Sequence, residues 1–202
     1  MLYIFEEPDK LDDGFLETAI PLLSSQRYEK VQKLPSAAVK KASCVSYLLL
    51  RLALLNVYKI NEAVIFKYCG NGKPLLADHP QIHFNLSHSK NAVACIVADA
   101  PVGVDVQHIT AVKDKVAKRV LTEKEYEGFI LSPVPDRYFC EIWTIKESFL
   151  KKTGQGITID LRQLEAEKIP DKNIYENVNY FCCVCGSVTN KKYIKEHDFF
   201  EL

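Results

Sequence analysis

Residues 82–107 read IHFNLSHSKNAVACIVADAPVGVDVQ and contain three short strands in succession. The first, Ile82–Ser87, alternates in polarity, and a turn leads to the second, Ala92–Val97. A third strand covers 102–107, after a break that contains Pro101. Strands joined by short turns pair as an antiparallel meander. This stretch therefore favours an α+β fold over a doubly wound parallel sheet.

Helices flank the meander on both sides. Ser36 fits the N-cap of a helix that ends near Val57, and Thr122 begins a capping-box pattern. Asp136 is suited to cap a long helix that stops before Gly154. The further elements expected are strands at 2–5, 64–68, 157–159, 180–184 and 193–194, and helices at 12–34 and 112–120. A strand–helix–strands order recurs, so we expect two half-domains, 1–100 and 101–202.

Composition limits the classes of function. The chain has 202 residues, with 26 Lys and Arg against 26 Asp and Glu, so its formal net charge is zero. A protein that binds nucleic acid through phosphates carries a basic excess, so nucleic acid is not an expected partner. The most apolar stretch, 47–57, is too short to span a bilayer. The seven cysteines form no disulfide framework, which favours a reducing cytoplasm.

The third strand carries a candidate metal site. Its valines share one face, while Gly103, Asp105 and Gln107 share the other. Carboxylate and amide oxygens are ligands that suit Mg²⁺, which also keeps several waters. The alternative is a half-exposed strand whose polar side chains merely face water.

The helix around Trp143 carries a second group of charged residues. Glu147 and Lys151 lie one turn apart on the stripe that begins at Trp143, which we expect to be buried. Charged groups at the edge of a core need a compensating metal, anion or partner. The loop 154–156 is preceded by three lysines, which give it a positive lining: Lys146, Lys151 and Lys152. The alternative is an exposed Glu–Lys pair.

Three other clusters have competing interpretations. Five cations between positions 27 and 41 could bind a small polyphosphate or form a solvated helix face. The triplet Ser87-His88-Ser89 could bind a phosphate or form a local turn. Cys182 and Cys185 have Cys-x-x-Cys spacing, but no second pair completes a zinc site. We interpret them as buried strand residues. The five cations are Arg27, Lys30, Lys33, Lys40 and Lys41.

Four blocks together resemble the Sfp-type 4′-phosphopantetheinyl transferases. They occur in that family's order as Gly72-Lys73-Pro74, Phe84-Asn85-Leu86-Ser87-His88-Ser89, Val102-Gly103-Val104-Asp105 and Trp143-Thr144-Ile145-Lys146-Glu147-Ser148-Phe149-Leu150-Lys151. The resemblance implies a Mg²⁺-dependent enzyme that transfers phosphopantetheine from coenzyme A to a serine of an apo acyl or peptidyl carrier protein. It also implies two similar, pseudo-symmetric α+β half-domains with the active site in the cleft between them. Because one chain of this length supplies both halves, a monomer is expected.

The same resemblance implies individual roles. Asp105 and Glu147 would hold Mg²⁺, Glu147 would also accept the serine proton directly or through water, and Lys151 would stabilise or protonate the leaving phosphate. Ser87 and His88 would bind the nucleotide phosphates, with Lys73 and Pro74 near the adenine. The remaining cofactor-binding candidates are Arg27, Lys30, Lys41 and Lys146.

One position departs from the family pattern. Members commonly carry a second acid two residues after the strand aspartate, where this chain has Gln107. An amide oxygen could still bind the metal, with one formal charge fewer. This departure favours a second hypothesis, in which the protein binds coenzyme A or a carrier protein without catalysing transfer. A metal-dependent phosphohydrolase acting on small nucleotides is a third reading.

Overall fold

A computed structural model describes residues 1–12, 14–70, 72–156 and 159–202, so most of the strand predicted at 157–159 lies outside the described residues. The helices are α1 (Phe15–Ala19), α2 (Ser25–Gln32), α3 (Ala37–Tyr58), α4 (Asp114–Val120), α5 (Glu123–Leu131) and α6 (Pro135–Thr153). The strands are β1 (Leu2–Glu6), β2 (Phe66–Tyr68), β3 (Pro74–Leu76), β4 (His83–His88), β5 (Ala92–Ala98), β6 (Gly103–His108), β7 (Lys172–Glu176), β8 (Tyr180–Cys185) and β9 (Lys191–Ile194). The mixed α+β class predicted from the meander is therefore confirmed.

The described strands form two larger sheets and one hairpin. The first sheet has the order β4-β5-β1-β9, the second has the order β6-β8-β7, and β2 pairs with β3. All these pairings are antiparallel except β1 with β9, which is parallel. β6 therefore pairs with β8 instead of continuing the β4–β5 hairpin, and the meander divides between two sheets after β5.

The two larger sheets stack between two long helices. On the first sheet, side chains such as Tyr3 and Cys95 pack against α3, while Ile4 and Ile96 point to the second sheet. Val104 meets them from the second sheet, whose opposite face packs against α6. This arrangement follows from the two-residue period of strands, which sends successive side chains to opposite layers. Each larger sheet thus carries one long helix on its outer face.

A side-chain seam joins the two sheets where β4 meets β6. The Asn85 side-chain oxygen accepts from the Val104 backbone N–H at 3.0 Å, and Ser87 Oγ accepts from the Val106 N–H at 3.1 Å. These two bonds satisfy backbone donors on the outer edge of β6, along which no described strand pairs. The seam brings the end of β4 next to the polar face of β6.

The helix boundaries confirm some sequence predictions and correct others. Ser36 caps α3, and Thr122 and Glu125 form the expected capping box at α5. The single helix predicted at 12–34 is wrong, since α1 and α2 are separated by a 3-10 turn at Pro21, whose ring disfavours a continuous helix. Asp136 does not cap α6. It lies in the first turn and accepts from the Val112 N–H at 2.8 Å.

The C-terminal segment returns to the first sheet. β9 adds to the edge of β1, and Phe199 stacks on Phe5 in the core beneath α3. The division of the chain into 1–100 and 101–202 stays a prediction, and this return joins the last residues to the first half. Among the described residues, no helix combines the length and apolarity that crossing a membrane requires.

Gly103 controls how closely α6 approaches β6. A Cβ at this position would lie 2.1 Å from the Ser148 carbonyl oxygen and 2.3 Å from the Lys152 nitrogen, both of them backbone atoms of α6. We expect Gly103→Ala to lower the free energy of unfolding by about 3 kcal/mol, the upper range for overpacking, because the helix has to move. Chemical denaturation measures this. Gly70→Ala is the control, since nothing lies within 4 Å of its added Cβ. Equal stability of both variants would contradict the prediction.

Candidate active site

Asp105 lies at the centre of a small polar network between β4, β6 and α6. Its side chain is buried, and Oδ1 accepts from Ser87 Oγ at 2.8 Å and from Lys151 Nζ at 2.6 Å. Lys151 Nζ also donates to Ser87 Oγ at 2.9 Å. The face of β6 that carries Gly103 and Asp105 is thus turned to α6. The alternative of polar side chains that merely face water is wrong for Asp105.

Glu147 lies one turn before Lys151 on α6 and faces the same network. Burial, and after it the negative charge of Asp105, raise the pKa of the Glu147 carboxyl, while Lys151 lowers it. The two carboxyl groups are therefore close enough to repel each other. Trp143, expected to be buried, is only half-buried and stacks on Phe139, with ring centroids 6.1 Å apart.

Two carboxylate oxygens of this site have no partner. Asp105 Oδ2 and Glu147 Oε1 are buried without a hydrogen bond among the described residues. An unpaired carboxylate oxygen in a buried site is costly, and a bound cation would remove that cost. Two carboxylates with water and substrate phosphates make a normal Mg²⁺ site. The donor set therefore fits the metal that the sequence implies, although no group of three or more His, Cys, Asp or Glu suited to a metal occurs in the described part of the chain.

Gln107 lies two residues beyond Asp105 on β6. It lines a separate cavity of about 160 Å³ together with Trp143 and Phe139. Its backbone carbonyl accepts from Cys140 Sγ at 3.3 Å, which fixes the main chain of β6 against α6.

A cavity of about 290 Å³ lies beside Glu147 and Lys151. The loop carrying Lys73 and Pro74 forms one wall, and the C-terminal end of α6 with Gly154 forms the other. Lys73 Nζ donates to the Lys151 carbonyl at 2.7 Å and the Lys152 carbonyl at 3.1 Å. A cation at a helix C-terminus stabilises the unpaired carbonyls there. The cavity is therefore lined by both halves of the chain.

His88 marks a cationic side of the site at the exposed end of β4. Desolvation, and then the positive charges of Lys151 and Arg27, lower its pKa, and Lys30 adds to the effect. These cations therefore lie near the imidazole. Arg27 is anchored by a 2.6 Å bond from its guanidinium to the Ser43 carbonyl, while its Nε is buried without a hydrogen bond among the described residues.

Two predicted cofactor-binding lysines are placed elsewhere. Lys146 is fully buried and donates to Glu125 Oε2 at 2.6 Å, as well as to the carbonyls of Val120 and Leu161. Its assignment to the cofactor is wrong, because its position on α6 turns it to the core and away from Glu147. Lys41 is buried and donates to the Leu11 carbonyl at 2.8 Å, so the structure gives it a contact inside the first half.

Sequence reasoning missed the role of Asn85 and the linking role of Ser87. Both side chains are buried, and both bridge β4 to β6. The available signal was the two-residue spacing of the polar side chains, which alternate with the apolar Phe84 and Leu86. Cys182 and Cys185 face opposite sides of β8, as predicted, and are free buried thiols.

Known proteins with similar sequences belong to one family of enzymes. A profile of the 4′-phosphopantetheinyl transferase superfamily matches residues 101–196. The chain is 31% identical to the 4′-phosphopantetheinyl transferase psf-1 of Bacillus pumilus, over 77% of this chain and 68% of that protein. It is 28% identical to the 4′-phosphopantetheinyl transferase gsp of Aneurinibacillus migulanus, over 94% of this chain and 88% of that protein. The chain is also 28% identical to the 4′-phosphopantetheinyl transferase Sfp of Bacillus subtilis, over 72% of this chain and 66% of that protein.

Proposed function

Because this chain belongs to the 4′-phosphopantetheinyl transferase superfamily, we propose that its reaction takes place at the cavity between Lys73 and the end of α6. The protein is an enzyme of this type, and it transfers phosphopantetheine to carrier proteins. The family uses coenzyme A as substrate. The observation that carries the location is a pair of buried oxygens next to the Lys151 network, Asp105 Oδ2 and Glu147 Oε1. Neither has a hydrogen-bond partner in the described part of the chain.

We propose that Asp105 and Glu147 hold a Mg²⁺ ion. Gln107, two residues beyond Asp105 on β6, is a further candidate ligand, although it lines the neighbouring cavity. Bound there, Mg²⁺ would polarise the phosphoryl oxygens of coenzyme A and neutralise the charge that develops on them. Support comes from the chemistry of the donors, since carboxylate oxygens suit this cation and two carboxylates suffice when substrate phosphates complete the shell.

In the proposed reaction, the serine oxygen of the carrier protein forms a bond to the β-phosphorus of coenzyme A. The bond from that phosphorus to the bridging oxygen breaks, and adenosine 3′,5′-bisphosphate leaves. Glu147 accepts the serine proton, and Lys151 stabilises or protonates the departing phosphate. Burial and the charge of Asp105 raise the pKa of the Glu147 carboxyl, and a higher pKa makes a carboxylate a stronger proton acceptor.

The cationic side of the site is proposed to bind the nucleotide. His88, Arg27 and Lys30 would contact the phosphates, and Lys73 and Pro74 would border the adenine. Lys151, Arg27 and Lys30 each lower the pKa of His88, after the effect of desolvation. This supports the grouping, because cations gathered around one position suit a polyanion. A monomer is proposed because both walls of the cavity come from one chain, and a cytoplasmic location accords with the free thiols.

One assay tests the assignment. The purified chain, coenzyme A and MgCl₂ are incubated with a panel of apo acyl and peptidyl carrier proteins, and intact-mass measurement reads the phosphopantetheine addition on each. We expect at least one carrier to be modified at its serine. Coenzyme A cleavage without a modified acceptor would instead indicate a phosphohydrolase, and binding without either product would indicate a non-catalytic protein.

Gln107 provides a graded test of the metal site. We expect Gln107→Glu to lower the Mg²⁺ concentration needed for half-maximal transfer by about tenfold, because a third charge strengthens cation binding at an oxygen site. Steady-state rates against MgCl₂ concentration measure it. Thr110→Glu, at another residue lining the cavity that holds Gln107, is the control for added charge. An unchanged Mg²⁺ requirement in Gln107→Glu would count against the placement of the metal.

A further inference from the structure

The Ser87 hydroxyl has no hydrogen-bonding capacity left for a phosphate. A serine hydroxyl offers one proton and two acceptor lone pairs. The Val106 N–H and the Lys151 ammonium can only donate, so their bonds of 3.1 and 2.9 Å fill both lone pairs. The single proton therefore goes to Asp105 Oδ1 at 2.8 Å. To donate to a nucleotide phosphate, the hydroxyl would have to break its hydrogen bond to Asp105 Oδ1.

The bond from Ser87 determines which oxygen Asp105 presents. Oδ1 receives both Ser87 Oγ and Lys151 Nζ, and the other oxygen, Oδ2, remains buried and unpartnered among the described residues. Rotation of the carboxylate would break two hydrogen bonds, one of which is part of an ion pair. The Asp105 carboxylate is thus held in an orientation that leaves Oδ2 free of hydrogen bonds from the described residues and able to bind a cation. Glu147 Oε1 likewise accepts no hydrogen bond from them.

Ser87 is itself held by the first sheet. Its backbone lies opposite Ala94 in the β4–β5 ladder, and its side chain is only 5% exposed. Asp105 belongs to the second sheet. The hydrogen bond from Ser87 on β4 therefore orients the Asp105 carboxylate on β6 across the junction of the two sheets. Groups that orient a ligand in this way commonly change metal affinity by about 10–100-fold when removed.

We propose that Ser87 is a positioning residue for the metal ligand Asp105 and does not bind the nucleotide phosphate. This inference rests on the proposed function, because it takes Asp105 as a ligand of Mg²⁺. It departs from the role that the family resemblance implies for this serine. The hydroxyl acts across the seam between the two sheets, through the orientation of one carboxylate.

Two affinities separate this role from phosphate binding. Mn²⁺ replaces Mg²⁺ as a spectroscopic probe, and its binding to the full chain is titrated by electron paramagnetic resonance with saturating coenzyme A and no carrier protein. Coenzyme A affinity is then measured by calorimetry at saturating Mn²⁺. We expect Ser87→Ala to weaken Mn²⁺ binding by about 10–100-fold and to change coenzyme A affinity by less than about threefold.

Asn85→Ala is the matched control. It removes the neighbouring β4–β6 bond, to the Val104 N–H, without removing a bond to Asp105. We expect its Mn²⁺ affinity to stay within about threefold of the unaltered chain, since the ligand keeps both partners. Thermal unfolding verifies that each variant is folded. If Ser87→Ala does not fold, Ser87→Cys is titrated instead, because it keeps the volume and offers only a weak donor.

The possible outcomes are distinct. Unchanged Mn²⁺ affinity in Ser87→Ala, or a large loss of coenzyme A affinity at saturating Mn²⁺, would overturn the positioning role. Asp105→Ala tests the premise separately: if it leaves Mn²⁺ binding intact, the metal assignment under the proposed function fails, whatever Ser87→Ala does. Loss in both Asp105→Ala and Ser87→Ala, with Asn85→Ala unaffected, supports the inference.

Discussion

Glu147→Gln is expected to reduce the rate of phosphopantetheine transfer by at least about a thousandfold, the scale on which a positioned general base acts. The amide keeps the shape of the side chain, but it cannot accept the serine proton and no longer offers a negative charge to the metal. Intact-mass measurement of an apo-carrier protein incubated with coenzyme A and MgCl₂ reads the effect. Full labelling by this variant would refute the proposed mechanism.

The same substitution is expected to leave the fold intact or slightly more stable. Burial and the charge of Asp105 raise the pKa of the Glu147 carboxyl. At pH values above that pKa the group is ionised, and its negative charge then lowers the free energy of unfolding. Its Oε1 has no partner to lose among the described residues. Glu141→Gln, a like change on the same helix outside the network, is the control and should keep its transfer rate. A clear drop in the melting temperature of Glu147→Gln would indicate a structural role instead.

The second large effect concerns stability and centres on Glu125. Its Oε2 accepts from Lys146 Nζ at 2.6 Å and from the Thr122 N–H at 2.8 Å, and Oε1 accepts from the Ala166 N–H at 2.8 Å. Lys146 is fully buried, so its ammonium group has no access to water. Glu125→Ala should therefore lower the free energy of unfolding by about 3–5 kcal/mol, as expected when one member of a buried pair is lost. Chemical denaturation gives the value.

Two comparisons isolate the buried pair. Glu123→Ala, an exposed acid in the first turn of the same helix, should change the free energy of unfolding by less than about 1 kcal/mol. The double variant Glu125→Gln with Lys146→Met should be more stable than Glu125→Ala, because it leaves no unpaired buried charge. Glu125→Ala with the stability of the unaltered chain would contradict the assignment of Lys146 to the core.

Local signals were sufficient for much of the secondary structure. The turn residues between strands 82–107 placed β4, β5 and β6 to within about a residue, and the Thr122–Glu125 pattern located the start of α5. These features depend on neighbours in sequence, so the chain itself carries them. The break at Pro21 was missed because the flanking periodicity suggested one helix. β7 was missed because its exposed side chains give little pattern.

The candidate site divides in a similar way. The two-residue period placed Asp105 on the polar face of its strand, and the one-turn spacing placed Glu147 beside Lys151. Periodicity could not show that Lys146, next to Glu147, turns into the core, since that depends on which elements pack against α6. Nor could it show that the Ser87 hydroxyl donates to Asp105, because these residues come into contact only where the two sheets join.

The sequence by itself determined the α+β class, the family and the residue types that a phosphoryl-transfer site requires, since each depends on local pattern or on similarity along the chain. The tertiary structure decided which of those residues share an environment. In the structure, Lys146 forms a buried ion pair and Lys73 donates to carbonyls at the end of α6. Asp105 Oδ2 and Glu147 Oε1 are buried and accept no hydrogen bond from any described residue. The physical reason is that burial, desolvation and hydrogen bonding depend on contacts between distant segments, which no local pattern encodes.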